Sequence, residues 1–323
     1  MGAIPVYGPA EVRRWLDFPG CIEAVHEAMA GFSAEGREQP LRSIVPLDEG
    51  RLFGVMPGVA PGTAGDFGAK LVSVFEDPAR PGRWAHRGGV LLFDRNSGAP
   101  LCLADAHEIT RIRTACASAV ATRVLARDDA RVLAVFGTGT QAEAHVHALL
   151  RARPFEQVIV WGRDPARARE LATRLTDETG AHVVSLGDPV AAAGQADVIC
   201  TTTSSVEPVL RRAWLRPGTH VNAVGSSFPG PVEVDLDLVV DSRYIADSRR
   251  SALAAAAEFL QARAAALVGD SHIVAEIGEV LLGRVAGREH AGQLTLYKSL
   301  GHVVQDLAAT ALVHRRAIAA GTA

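Results

Sequence analysis

The rhythm of apolar and polar positions changes twice along the 323-residue chain. Residues 9–34 carry apolar side chains at helical spacing, interrupted near Pro19 and Gly20, and predict a broken helix. Between residues 41 and 103 the apolar runs are short and β-rich: LRSIVPL, RLFGVMP, AKLVSVF, GGVLLFD and PLCLAD. Gly, Pro and Asp turns separate them, the pattern of an antiparallel meander. A long helix rich in small residues follows, ITRIRTACASAVATRVLA. From Arg131 strands and helices alternate. VLAVFG, QVIVWG, HVVSLG, DVICTTTS and HVNAVG read as strands, and QAEAHVHALLRA and PARARELATRLTDETG as helices. LDLVVDS reads as a further strand, flanked by Asp235 and Asp237 as solvated acids. Such alternation predicts an open parallel sheet. The last segment, QLTLYKSLGHVVQDLAATALVHRRAIA, enters a helix expected to return to the first domain. The fold class is therefore α/β: a Rossmann-type doubly wound parallel sheet, plus an α+β domain with an antiparallel sheet. The expected boundaries are 1–118 with 302–323 for the α+β domain and 119–301 for the Rossmann domain.

Composition narrows the function. Apolar residues make up 48% of the chain, yet no run is long enough to span a bilayer. The N-terminal stretch lacks the layout of a signal peptide. A net charge of −3 gives no general attraction to nucleic acid or to an anionic membrane. Cys21, Cys102, Cys116 and Cys200 are far apart and read as reduced thiols, so a cytoplasmic location is expected. His145 and His147 face different sides of one helix, and no metal site is expected there.

The stretch GTGTQA follows a strand and opens a helix. Gly137, Gly139 and Ala142 fit the G-x-G-x-x-[GA] pattern in the context that gives it meaning. Gly137 permits the tight turn, Gly139 lets a pyrophosphate approach the backbone, and Ala142 allows close helix–strand packing. The open N–H groups and the dipole at the helix start favour the anion. A tight turn without a ligand is the alternative. At the tip of the next strand an NAD-selective site would carry an acid. Here Gly162 and Arg163 occupy that place, and Arg163 can pair with a 2′-phosphate, which favours NADPH with NADH possible. Asp164 could bind the ribose or cap the next helix, and the cap is the favoured reading.

Taken with LRSIVP, MPG, AKLVSVFED, RIRTACASAVAT, NAVGSSFPGPVEVD and LYKSLGHVVQDLAA, this turn resembles the ornithine cyclodeaminase/mu-crystallin family over nearly the whole chain. The resemblance implies a homodimer in which the antiparallel sheet of the substrate domain meets its partner's. It implies that Arg42 and Lys70 bind a substrate carboxylate and that Arg113 lies between substrate and cofactor. It gives Thr140, Gln141, Thr203, Ala223, Val224 and Gly225 as cofactor contacts, and places Ser299 near the nicotinamide. Taken singly, Lys70 also reads as a strand-end lysine and Arg42 as a surface arginine, while Arg113, on a small-residue helix face, could reach out of the domain toward phosphate.

Two departures lean toward the mu-crystallin branch, whose members reduce cyclic ketimines with NADPH. Cyclodeaminases resemble G-x-D-x-P-G where this chain has GSSFPG, so Ser227 replaces the aspartate. A hydroxyl can hydrogen-bond an imine or relay water but is no base near neutral pH. Cyclodeaminases also carry a glutamate before their M-P dipeptide, where Val55 and Met56 are apolar. The expected reaction is NAD(P)H-dependent reduction of a small, cyclic imine carboxylate to an amino acid. The proton comes from the substrate iminium, from Ser227 through water, or from Lys70. The alternatives are an ammonia-releasing ornithine or lysine cyclodeaminase, an alanine-dehydrogenase-like reductive amination, and a non-catalytic NADPH- or ligand-binding protein. Asp66, Glu76 and His86 are secondary candidates for the pocket.

Overall fold

The computed structural model describes residues 4–48, 50–62, 66–76, 84–228 and 230–322, without the side chains of 84–86. The chain divides into two compact units, Met1–Arg113 with His302–Ala323, and Thr114–Gly301.

The first unit opens with β1 (Val6–Tyr7), α1 (Pro9–Trp15) and α2 (Phe18–Ala34). The break between the helices falls slightly ahead of Pro19 and Gly20. Asp17 accepts the Gly20 amide at 2.7 Å and caps α2, and Pro19 sits in the first turn, where a helix needs no N–H. The meander follows as β2 (Ser43–Pro46), β3 (Leu52–Val59), β4 (Phe67–Glu76), β5 (Trp84–Phe93) and β6 (Pro100–Asp105), each antiparallel to the one before. β1 adds to β6 in parallel, so the sheet of order β1-β6-β5-β4-β3-β2 is mixed rather than purely antiparallel. The helix α3 (Ala106–Leu125) starts in this unit and carries the division between Arg113 and Thr114.

The second unit runs β7 (Val132–Phe136), α4 (Thr140–Ala152), β8 (Gln157–Trp161), α5 (Pro165–Thr179), β9 (Val183–Ser185) and α6 (Pro189–Gln195). It continues with β10 (Val198–Thr201), β11 (His220–Ala223), α7 (Leu236–Asp241), β12 (Arg243–Ala246), α8 (Arg249–Ala255) and α9 (Ala257–Ala264), then β13 (Ile273–Glu276), α10 (Ile277–Leu281) and β14 (Thr295–Lys298). The eight strands form one parallel sheet of order β13-β12-β14-β11-β10-β7-β8-β9. Phe136, Ile199, Val221, Tyr244, Phe259 and Leu296 anchor its core.

One element differs from expectation. LDLVVDS forms α7, not a strand, because Asp235 caps it by accepting the Leu238 amide at 3.1 Å. Asp235 also accepts the Arg212 amide at 3.0 Å, so it is a structural acceptor rather than a solvated acid. The strand pairing with β14 comes directly after, as β12.

The chain then returns to the first unit in α11 (Val303–Ala319), which packs on α2, β3, β4 and β5. The sheet has small residues where this helix crosses it. A Cβ at Gly58 would strike Val303, and one at Gly68 would meet Leu307 at 3.1 Å.

Candidate functional site

Strand alternation places Gly68, Lys70 and Val72 on the face of β4 that α11 covers. Lys70 pairs in register with Met56 of β3 and Val90 of β5. It therefore enters an apolar face, and it is 6% exposed. Its ammonium donates to Thr110 Oγ1 on α3 at 2.6 Å and to Asp306 Oδ1 on α11 at 3.4 Å. One turn of α3 beyond Thr110, Arg113 donates through Nε to the same Asp306 oxygen at 2.8 Å and through a terminal nitrogen to Gln305 Oε1 at 2.9 Å. Two buried cations thus share one buried carboxylate. The other oxygen of Asp306 is buried and has no hydrogen-bond partner among the described residues.

Burial pushes the Lys70 ammonium down to about 8. Asp306 opposes that shift by charge and hydrogen bond, while the charges of Arg113 and Arg42 add to it. Arg42, half-buried just ahead of β2, is therefore close enough for its field to reach Lys70. Burial also pushes the His302 imidazole down to about 3, so this neighbour at the start of α11 is neutral and its ring accepts the Val304 amide. The cluster carries more positive than negative charge, and Lys70 has three N–H donors for two partners among the described residues. Such a surplus of positive charge can accept an anionic group, and the lysine can give up a proton near neutral pH.

On the β3 side of this face stand Gly54, Met56 and Gly58; Val55 points to the other face. No β3 carboxylate faces Lys70, so nothing on that strand would pair with a substrate side-chain amine.

In the second unit the glycine turn is built as its pattern requires. Gly137 has φ +139°, and a Cβ there would lie 2.5 Å from Thr202 Oγ1. Gly139 forms the N-terminal cap of α4 without a side-chain hydrogen bond, and a Cβ on it would meet open space. The turn thus leaves amides and room at the start of a helix, which fits a dinucleotide pyrophosphate. Thr140 and Gln141 begin that helix. Thr203 follows β10, Ala223 ends β11 and leads into Val224 and Gly225, and Ser299 follows β14. All therefore sit at the carboxyl ends of the neighbouring strands β14, β11, β10 and β7, where ligands bind in open parallel sheets. The Ser299 hydroxyl is buried there with no partner among the described residues. Asp164 caps α5, accepting the Ala166 and Arg167 amides at 2.9 and 3.3 Å, and Arg163 is exposed beside it.

The remaining candidates are dispersed. Ser227 is half-buried in the loop after β11, in the second unit, and has no hydrogen bond to a described residue. Asp66 faces the charges of Asp94, Arg315 and His314, with its carboxyl pushed up mainly by burial. Glu76 is exposed at the end of β4, and the His86 side chain lies outside the described residues. His145 is buried between Ser118 and the Gln141 carbonyl. Glu143, His147 and Glu178 come within 4.8 Å of one another, but Arg174 already pairs with both glutamates, at 2.7 and 3.9 Å.

Sequence reasoning missed Asp306, Gln305 and Thr110, and a second buried group in Glu233, Glu258 and Lys298. A signal was present. Of the 33 lysines and arginines in the chain only Lys70 and Lys298 are lysine, and both are buried. Elsewhere the chain uses arginine, which stays charged; these two places take the cation that is compact and can lose its proton.

Residues 8–321 match the model of the ornithine cyclodeaminase/mu-crystallin family. The chain belongs to that family. Among its members, a Delta(1)-pyrroline-2-carboxylate reductase of Bacillus cereus is 33% identical over 313 residues, 96% of each protein. The ketimine reductase mu-crystallin of Mus musculus is 36% identical over 298 residues, 91% of this chain and 90% of that one. The solved structure of Thermococcus litoralis Delta(1)-pyrroline-2-carboxylate reductase, in complex with NADH and L-proline, has a TM-score of 0.93 at 27% identity and covers 98% of both chains. Family relatives with these names fit the paired features above, a buried cationic cluster in one unit and a glycine turn at a helix start in the other.

Proposed function

We propose that this protein is an NAD(P)H-dependent reductase of a small cyclic imine carboxylate, producing the amino acid. The observation that carries the reading is the buried Lys70–Asp306–Arg113 cluster, with its surplus positive charge and a lysine poised near neutral pH. Arg113, Arg42 and Lys70 hold the substrate carboxylate and so fix the C=N carbon next to it. A reduced dinucleotide held at the glycine turn through its pyrophosphate would supply the hydride that this carbon accepts. Lys70 supplies the proton to the nitrogen, turning C=N into CH–NH, and is reprotonated from solvent. The apolar and glycine positions of β3 around Lys70 suit a hydrocarbon ring better than a side chain ending in an amine.

NADPH oxidation by the purified protein tests this, with five- and six-membered cyclic ketimine carboxylates and with pyruvate plus ammonia or methylamine. Ornithine and lysine run in parallel for ammonia release. Cofactor oxidation dependent on a cyclic imine is the expected result. Ammonia release without net cofactor change would replace the proposal with cyclodeamination, and tight cofactor binding without turnover would replace it with a binding role.

NADPH is the preferred cofactor in this reading, because Asp164 is engaged as a cap and Arg163 is left at the strand tip. Arg163→Ala should raise the KM for NADPH about tenfold and that for NADH less than about twofold, from the loss of one charge-assisted hydrogen bond. An equal change in steady-state kinetics with the two cofactors would remove Arg163 from phosphate binding.

The protein acts as a homodimer in this proposal. The edge strand β2 is exposed throughout, with Ile44 and Val45 at 48% and 45%, and Leu41 and Leu47, which flank it, are exposed at 41% and 51%. An apolar sheet edge of this kind is normally covered. Sedimentation equilibrium should give twice the chain mass, and Ile44→Lys should shift it toward the monomer. The four cysteines are buried and none forms a disulfide, which suits a reducing cytoplasm. No helix among the described residues is long and apolar enough to cross a membrane.

A further inference from the structure

Glu233 is fully buried in the segment between β11 and α7, and its carboxylate accepts four hydrogen bonds. Thr203 donates to Oε1 through its amide at 2.5 Å and its hydroxyl at 2.8 Å. The Thr201 hydroxyl and the Gly225 amide donate to Oε2 at 2.8 and 2.6 Å. Four donors fill the acceptor sites of a carboxylate, so Glu233 has none left for a ligand. Burial pushes its carboxyl up, and the Thr203 and Thr201 hydrogen bonds and the Lys298 charge pull it back. Each oxygen receives a backbone N–H that can only donate, so the anion is the form the geometry suits.

The anchoring continues one layer deeper. The Glu233 amide donates to Glu258 Oε1 at 2.9 Å, and Lys298 donates to Glu258 Oε2 at 3.0 Å. The Ser226 hydroxyl donates to Glu258 and accepts from Lys298. Thr201 ends β10, Gly225 follows β11 and Lys298 ends β14, so two buried acids and one lysine tie the carboxyl ends of three adjacent strands. The loops they tie are in contact: a Cβ at Gly225 would strike the Thr203 carbonyl and come within 2.6 Å of Glu233 Oε1. Buried polar groups this fully satisfied specify a single conformation.

We infer that Glu233 is a positioning residue for the nicotinamide half of the dinucleotide, locking the loops after β10 and β11 in their binding conformation without touching the cofactor. This rests on the dinucleotide reading proposed above. The residues it holds, Thr203 and Gly225, lie at the carboxyl ends of β10 and β11 and are among the cofactor contacts that the family resemblance implies. The glycine turn after β7 makes no hydrogen bond to Glu233 among the described residues, so the adenosine half should not depend on it. In Glu233→Gln an amide NH₂ replaces one acceptor oxygen and opposes the N–H groups of Thr203 or Gly225 at nearly constant volume.

The test is equilibrium binding to the full chain, with NADPH fluorescence as the readout and adenosine 2′,5′-bisphosphate as a competing ligand for the adenosine half. Glu233→Gln should weaken NADPH about ten- to a hundredfold and leave the bisphosphate within about twofold. Thr201→Val removes one donor in an isosteric, buried place and should weaken NADPH about three- to tenfold with the same selectivity. Should Glu233→Gln fail to fold, Thr201→Val decides alone. Unchanged NADPH binding in a folded variant overturns the inference. Equal loss of both ligands also overturns it, since Glu233 would then support the whole unit. A wild-type protein that binds neither the bisphosphate nor NADPH, nor NADH in the same assay, overturns the dinucleotide reading itself, and the inference with it.

Discussion

Lys70→Met should lower kcat/KM for imine reduction by a factor on the order of 10³ to 10⁴, the scale of a lost general acid, while the Kd for NADPH stays within about twofold of wild type. Methionine keeps the length and the apolar stem of lysine, so the buried face is refilled and the loss is chemical. The change also leaves Arg113 with Asp306 to itself at 2.8 Å, which cuts the positive surplus available to a substrate carboxylate. Lys70→Arg separates the two roles. It keeps a cation beside Thr110 and Asp306 but cannot release a proton near neutral pH. If Lys70 only clamps the carboxylate, Lys70→Arg retains kcat. If Lys70 donates the proton, Lys70→Arg keeps much of the substrate affinity and loses kcat about as Lys70→Met does. Full activity in Lys70→Met would reduce Lys70 to a buried structural ion pair.

The parts of the molecule that were legible beforehand are those where local pattern and fold agree. GTGTQA after an apolar strand specifies its own turn, since Gly137 adopts a φ that other residues avoid and Gly139 stands before open space. The meander was legible because its runs are short, β-rich and separated by Gly, Pro and Asp turns. The same local logic failed at LDLVVDS, whose apolar residues suit a strand or a helix equally. A single hydrogen bond from the Leu238 amide to Asp235 decides for the helix, and period alone does not contain it. Lys70 and Arg113 were found through the family's blocks. The carboxylate that makes them a unit was not, because Asp306 lies 236 residues from Lys70 along the chain. Glu233 was hidden for the same reason. In PVEVD it looks like one more acid at the edge of an apolar run, and only the folded sheet brings Thr201, Thr203 and Gly225 to it.

The second large effect belongs to Asp306. Asp306→Asn keeps the shape and leaves Lys70 and Arg113 buried side by side without their shared charge. Asp306 holds the Lys70 value up, against burial and against Arg113 and Arg42. Its removal therefore moves that value below about 8. Proton donation needs the ammonium, whose population falls as pH rises through its pKa, so the alkaline limb of kcat/KM should move to lower pH in Asp306→Asn. At pH 8 the expected loss is on the order of 10², and activity should recover in part as the pH is lowered. A purely structural role predicts a lowered Tm with the limb unmoved. The lysine content makes the direct measurement simple. With Lys70 and Lys298 as the only lysines, side-chain ¹⁵N-lysine labelling gives two ammonium signals, assigned by Lys70→Met. The Lys70 signal should titrate near 8 in the wild type and lower in Asp306→Asn. Adding an amino acid product should shift it the other way, because a bound carboxylate returns negative charge to the site and raises the lysine. A Lys70 signal that titrates like a free lysine, or that Asp306→Asn does not move, would remove both the proton-donor role and the part Asp306 has in it.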